Sequence, residues 1–138
     1  MARMIFVNLH VSDFQRSIDF YKALGFTENM DFSNEFGAAL VWSDEIWVML
    51  LTHDFYRNFT AGRAIPDARE VAQVLNALSF DSKEAVDKFV AAAVANGGTL
   101  LPEVVIEGAE GMYGRDITEP DGHIWEAMYM EFPADAKT

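Results

Sequence analysis

The fold is decided near the start of the chain. There Met4-Ile5-Phe6-Val7-Asn8-Leu9-His10-Val11 runs directly into Ser12-Asp13-Phe14-Gln15-Arg16-Ser17-Ile18-Asp19-Phe20-Tyr21-Lys22-Ala23-Leu24-Gly25. In the first stretch only Asn8 and His10 are polar, so Ile5, Val7, Leu9 and Val11 take one face of a strand and Phe6, Asn8 and His10 the other. A strand face carrying Asn and His is expected to line something wetter than a core. Ser12 and Asp13 then offer N-cap oxygens, and Phe14, Ile18, Tyr21 and Leu24 form a helical stripe that stops at Gly25.

Outward from this unit, Phe26–Phe32, Phe36–Trp42 and Ile46–Thr52 read as strands, separated by the polar turns Ser33-Asn34-Glu35 and Ser43-Asp44-Glu45. The order β-α-β-β-β then recurs. Val74–Phe80 is a strand, Asp81-Ser82 caps a helix with Val86, Phe89, Val90 and Ala93 on its apolar stripe, and Asn96-Gly97-Gly98 ends it. Thr99–Ile106, Met112–Thr118 and His123–Phe132 complete the set. Local echoes support a duplication, as in Asp44-Glu45-Ile46-Trp47 beside Asp121-Gly122-His123-Ile124-Trp125. The fold class is therefore α+β: tandem βαβββ modules, about 4–52 and 73–132, within one domain spanning 1–138. Between them, residues 53–72 show no clear period and hold three of the six arginines, Arg57, Arg63 and Arg69. So long a connection is either a plain linker or a lid over a cleft.

Composition narrows the function. The chain has 22 acidic against 10 basic residues, a net charge of −12, which disfavours nucleic acid and anionic membrane surfaces as partners. With no cysteine, a disulfide framework, a catalytic thiol and a sulfur-bound zinc are excluded. No apolar run reaches the roughly 18 residues of a membrane span. The beginning of the chain lacks a secretory apolar stretch, and a cytoplasmic soluble protein is the expectation.

Two stretches, Val11-Ser12-Asp13 through Ser17, Phe20-Tyr21 and Leu24-Gly25-Phe26, and Glu119-Pro120-Asp121-Gly122-His123-Ile124-Trp125-Glu126, resemble the vicinal oxygen chelate superfamily over nearly the whole chain. That superfamily includes glyoxalase I, bleomycin- and fosfomycin-resistance proteins and extradiol dioxygenases. The resemblance implies two modules that curl their strands into a cleft, and a divalent metal held by four residues, one from each of four strands. The matching positions here are Phe6, a residue of Ile46–Thr52 taken as Leu50, Leu75 and Glu126. Only Glu126 is a family ligand retained. Phe6, Leu50 and Leu75 carry no lone pair for a metal. No cofactor is expected, and a divalent metal would need a non-standard set of ligands.

The candidates follow from strand parity and chemistry. His10 shares its face with Phe6 and Asn8, and could act as a general base or hydrogen-bond a ligand, with Glu126 as its partner. Glu126 and His10 are the catalytic candidates. Phe6, Asn8, Leu50, Leu75, Tyr113, Arg115 and Met128 are the ligand-binding candidates, Arg115 as an anion clamp and Met128 as part of a pliable cavity wall. His123 lies three residues from Glu126, hence on the opposite strand face, and reads as a turn-flanking surface residue; His53 reads as an exposed loop residue.

Three functions stay open at this stage. One is a small-molecule binder like the metal-free drug-sequestering members that the resemblance brings in. Another is a glyoxalase-like lyase or a dioxygenase with a rebuilt metal or acid/base site around His10 and Glu126. The last is a non-catalytic interaction subunit. The resemblance also implies a homodimer.

Overall fold

The computed structural model describes residues 2–131. Phe132, the expected end of the last strand, lies outside the described residues. The order of elements is β1 (Ile5–Val11), α1 (Phe14–Ala23), β2 (Thr27–Asn29), β3 (Gly37–Ser43), β4 (Ile46–Thr52), α2 (His53–Tyr56), β5 (Leu75–Ser79), α3 (Lys83–Ala95), β6 (Thr99–Leu100), β7 (Met112–Thr118) and β8 (Ile124–Met130). Two four-stranded sheets result, β1-β4-β3-β2 and β5-β8-β7-β6, so the βαβββ unit occurs twice. In each sheet the first strand pairs in parallel with the fourth, and the remaining pairs are antiparallel.

The helices begin where the sequence supplies a cap. The Asp13 carboxylate accepts from the Arg16 N–H, and the Ser82 hydroxyl accepts from Ala85 N–H at 3.1 Å. After α1 the chain reverses through Gly25 at φ 110°, a conformation that costs a side chain but not glycine.

Two strands are shorter than the sequence suggests. β2 stops at Asn29, whose side chain accepts from Asp31 N–H and starts a 3-10 turn over Met30–Phe32. β6 spans two residues rather than eight. Its pairing with β7 ends with the Leu101 N–H to Asp116 C=O bond, because Pro102 has no N–H to continue the ladder.

Each sheet has one buried face and one open face. Leu9, Leu50, Val48 and Leu40 on the first sheet, and Leu78, Trp125 and Ile117 on the second, share a single core with α1 and α3. The modules interlock there: Trp125 Nε1 donates to the Tyr21 hydroxyl at 2.9 Å, and Trp42 packs on Phe80 and Phe89. Among the described residues no helix is long and apolar enough to cross a membrane.

Candidate functional site

Register places every candidate. Directly paired residues share a face, so the open face of the first sheet carries Phe6 with Trp47, Asn8 with Met49, and His10 with Leu51. Phe6 is 48 % exposed and, with Phe32, packs on Trp47 at ring separations of 5.6 Å. On the second sheet the open face holds Leu75 with Ile124, Ala77 with Glu126, and Ser79 with Met128. Asp116 lies directly across from Glu126 on β7, and burial raises the Asp116 carboxyl above its ordinary range.

Three candidates are corrected by this register. Leu50 faces the core, 0 % exposed, opposite Leu9, because the pairing of β4 with β1 sets its parity. The duplication identifies the proper position. Glu126 pairs with Ala77, two residues beyond Leu75, and the same step beyond Phe6 reaches Asn8, whose partner is Met49. Tyr113 and Arg115 lie on the helix side of the second sheet, away from Glu126 and Met128. Tyr113 donates to Asp87 of α3, and Arg115 sits over the Tyr113 ring at 4.6 Å and pairs with Glu103 at 3.3 Å. Arg115 thus has an acidic partner of its own and is no anion clamp in the cleft.

The expected partnership of His10 with Glu126 is also absent. His10 is 6 % exposed, and its Nδ1 lies 3.4 Å from His53 Nε2. The rings of His53, Tyr56 and His123 surround it at 5.2, 5.1 and 4.7 Å. Asn8 bonds to the Phe6 carbonyl, not to Glu126. Among the described residues, no side-chain hydrogen bond or ion pair reaches the Glu126 carboxylate, whose backbone sits in the β8 ladders.

His53 and His123 are not the isolated surface residues expected from the sequence. Thr52 pairs with Val11, so His53 enters α2 beside the end of β1, and His123 Nε2 donates to the His10 carbonyl at 2.8 Å. All three histidines of the chain therefore meet at one place. Burial, then the neighbouring His123 and His53, push the His10 imidazole down to about 4; burial also lowers His123. Beside them lies a cavity of about 170 Å³ between β1, the start of β5 and residues 66–74 of the linker. The linker therefore forms one wall of a cavity.

Sequence reasoning missed the residues that hold this region together. Glu119 and Asp121 are 2 % and 6 % exposed. Asp121 accepts from the Ser12 N–H at 3.1 Å, the Ser12 hydroxyl at 2.5 Å and the Ser17 hydroxyl at 3.4 Å, with Arg16 at 3.7 Å. One Glu119 oxygen accepts from the Asp121 and His123 N–H groups, both at 2.9 Å, and the other has no partner. The available signal was the pair of motifs themselves, Val11-Ser12-Asp13 and Glu119-Pro120-Asp121-Gly122: one brings hydroxyls, the other carboxylates.

Gly122 closes the joint. It sits at φ 100°, and a Cβ there would meet the Arg69 backbone N at 2.6 Å. Gly122→Ala should therefore cost about 2 kcal/mol and loosen the linker. Urea unfolding and faster amide exchange at 66–72 would show it; unchanged exchange there would refute the packing.

The positions that the resemblance assigns to a metal, Phe6, Leu75 and Glu126, with Met49 in place of Leu50 by the register, offer one oxygen or nitrogen donor side chain and do not fit a hard divalent ion. Among the described residues no group of three or more His, Asp or Glu is arranged to hold a metal.

A family model described as the Glyoxalase/Bleomycin resistance protein/Dioxygenase superfamily matches residues 3–127. No curated protein matches the chain. Similar solved structures include a hypothetical protein from S. aureus, 26 % identical, TM-score 0.76, covering 94 % of this chain and 95 % of that one. A family enzyme from Burkholderia phytofirmans is 21 % identical, TM-score 0.77, covering 94 % and 100 %. A fosfomycin resistance protein from Listeria monocytogenes is 16 % identical, TM-score 0.65, covering 99 % and 98 %.

Proposed function

Because this chain belongs to the glyoxalase/bleomycin resistance protein/dioxygenase superfamily, we propose that it binds a small organic molecule without a four-ligand metal centre. The observation that carries the reading is the make-up of the open sheet faces. Where a metal-binding member would carry donors, this chain presents Phe6, Met49 and Leu75, with Trp47 and Phe32 adjoining. Such faces suit an aromatic or aliphatic ligand, and Glu126 beside Asp116 supplies the polar end. The lyase or dioxygenase alternative loses support because His10 packs against His53 and His123 rather than beside Glu126, so the acid/base pair it needs is not assembled.

The test is metal analysis of untagged protein purified without chelators, with thermal melts in Ni²⁺, Mn²⁺, Fe²⁺ and Zn²⁺. Expected are sub-stoichiometric metal and unchanged melting, whereas a panel of uncharged and anionic aromatic compounds should yield a ligand that raises Tm and quenches Trp47. Stoichiometric metal with a raised Tm would overturn the reading.

The reading includes a homodimer. Phe6, Phe32 and Leu75 remain exposed on the open faces, and a second copy would cover them and complete the cleft. Sedimentation equilibrium should give twice the 15.5 kDa chain mass. Phe6→Glu should weaken association by at least about tenfold, since burying one Phe is worth roughly 2 kcal/mol. A monomeric parent protein would sink the dimer.

A further inference from the structure

The cavity beside the three histidines has a property the charge balance makes improbable by chance. Of its fifteen lining residues none is Asp, Glu, Lys or Arg, although 32 of the 138 residues are charged (22 acidic and 10 basic). Its polar groups are amides, imidazoles and one phenol, notably Asn8, Gln73, Asn76, His10 and Tyr56, set among Val7, Val71 and other apolar side chains. An ionic ligand would lose its hydration there and gain no opposite charge.

Two features say what does fit. The volume of about 170 Å³ is near the roughly 150 Å³ of a cavity that accepts benzene, so one substituted ring fills it. His10 also lines the cavity with one nitrogen uncommitted: Nδ1 faces His53, while no hydrogen bond from another described residue reaches Nε2. The ring is held neutral by its burial among His53, His123 and Tyr56, with Asp121 and Asp67 the charged groups acting on it. A neutral imidazole nitrogen beside a cavity either accepts a hydrogen bond or donates one, according to its tautomer.

We propose that this cavity, at the junction of β1, β5 and the linker and bordering the open sheet faces at Asn8, His10 and Ile124, is a second ligand site that takes a small uncharged ring compound with one hydrogen-bonding substituent placed against His10 Nε2. The linker wall at 66–74 makes the site depend on how the two modules are joined, because Gly122 packs directly on Arg69.

Phenol is the probe, with benzoate and toluene as comparators, titrated into the full-length protein with ¹³C-labelled histidine rings followed by NMR. Expected are saturable shifts of the His10 and His123 ring signals with phenol. Benzoate and toluene should each bind at least about tenfold more weakly, since one pays for a buried charge and the other lacks the hydrogen bond. His10→Phe should reduce phenol binding to the level of toluene. Ala72→Trp fills the cavity from the exposed linker, so it should abolish binding while the thermal melt is kept; it carries the test if His10→Phe does not fold. The proposal is overturned by absent or non-saturable histidine shifts, by benzoate binding as well as phenol, or by undiminished binding in Ala72→Trp. Quenching of Trp47 and metal uptake report on the sheet faces, so the two readings fail separately.

Discussion

Replacing Asp121 by Ala should lower the unfolding free energy by about 3 kcal/mol, the largest loss expected from any single polar side chain in this protein. The carboxylate is buried, and it accepts from one backbone N–H and two hydroxyls of the β1–α1 segment. Removing it leaves Ser12 N–H and Ser17 Oγ without that acceptor where water enters poorly. Arg16 is half exposed and adds little to the figure. Urea unfolding should show a lower midpoint at unchanged slope, and Tm should fall by roughly 10 °C. Ser12→Ala should cost less, and the double variant should be far from additive because the two groups share one contact. A loss below about 0.5 kcal/mol, as for an ordinary surface change, would show that the two motifs do not hold the modules together.

Stability should be greatest in mildly acidic solution and fall on both sides. On the alkaline side the cause is Glu119: burial, opposed by the His123 and Asp121 N–H bonds, pushes its carboxyl from 4.5 to about 8. The folded protein thus holds a proton that the unfolded chain releases. That contribution is complete below about pH 4.5 and is lost as pH rises through about 8, a total of about 3 to 5 kcal/mol. His10 acts in the opposite sense, lowered from 6.5 to about 4, so its contribution is present above pH 6.5 and lost as pH falls through 4. His123 is lowered too and adds to the acid loss. Glu119→Gln removes the proton and should flatten the alkaline limb, leaving the variant more stable than the parent relative to their pH 5 values. Unfolding series from pH 4 to 9 would decide it; an unchanged alkaline slope in Glu119→Gln would exclude Glu119 as its source.

The tandem modules were legible because period-2 and helical apolar patterns, capping residues and turn residues are local signals, and they recur in order along the chain. What stayed hidden depended on pairing. Leu50 and Met49 differ by one residue and therefore by one face, and only the register of β4 against β1 separates them. By chemical type Arg115 and Tyr113 suit a cleft, yet their parity with Ile117 puts them beside α3. The histidine cluster joins residues up to 113 positions apart, and no window along the sequence contains it. Alternation alone puts Phe6 and Asn8 on an open sheet face, the strongest signal a strand offers, whereas Glu126 is reached through its motif.

The bond between Tyr21 and Trp125 has a consequence for biosynthesis. The first module leaves the ribosome with Phe20, Tyr21, Phe26 and Trp42 unshielded, since residues of the second module complete their packing. Its own closure must also wait for β4, which returns to lie beside β1. A nascent chain that has emerged only as far as the linker is therefore a sticky half-protein, a natural client for a chaperone. Truncation at the linker should yield an insoluble fragment rather than a working half.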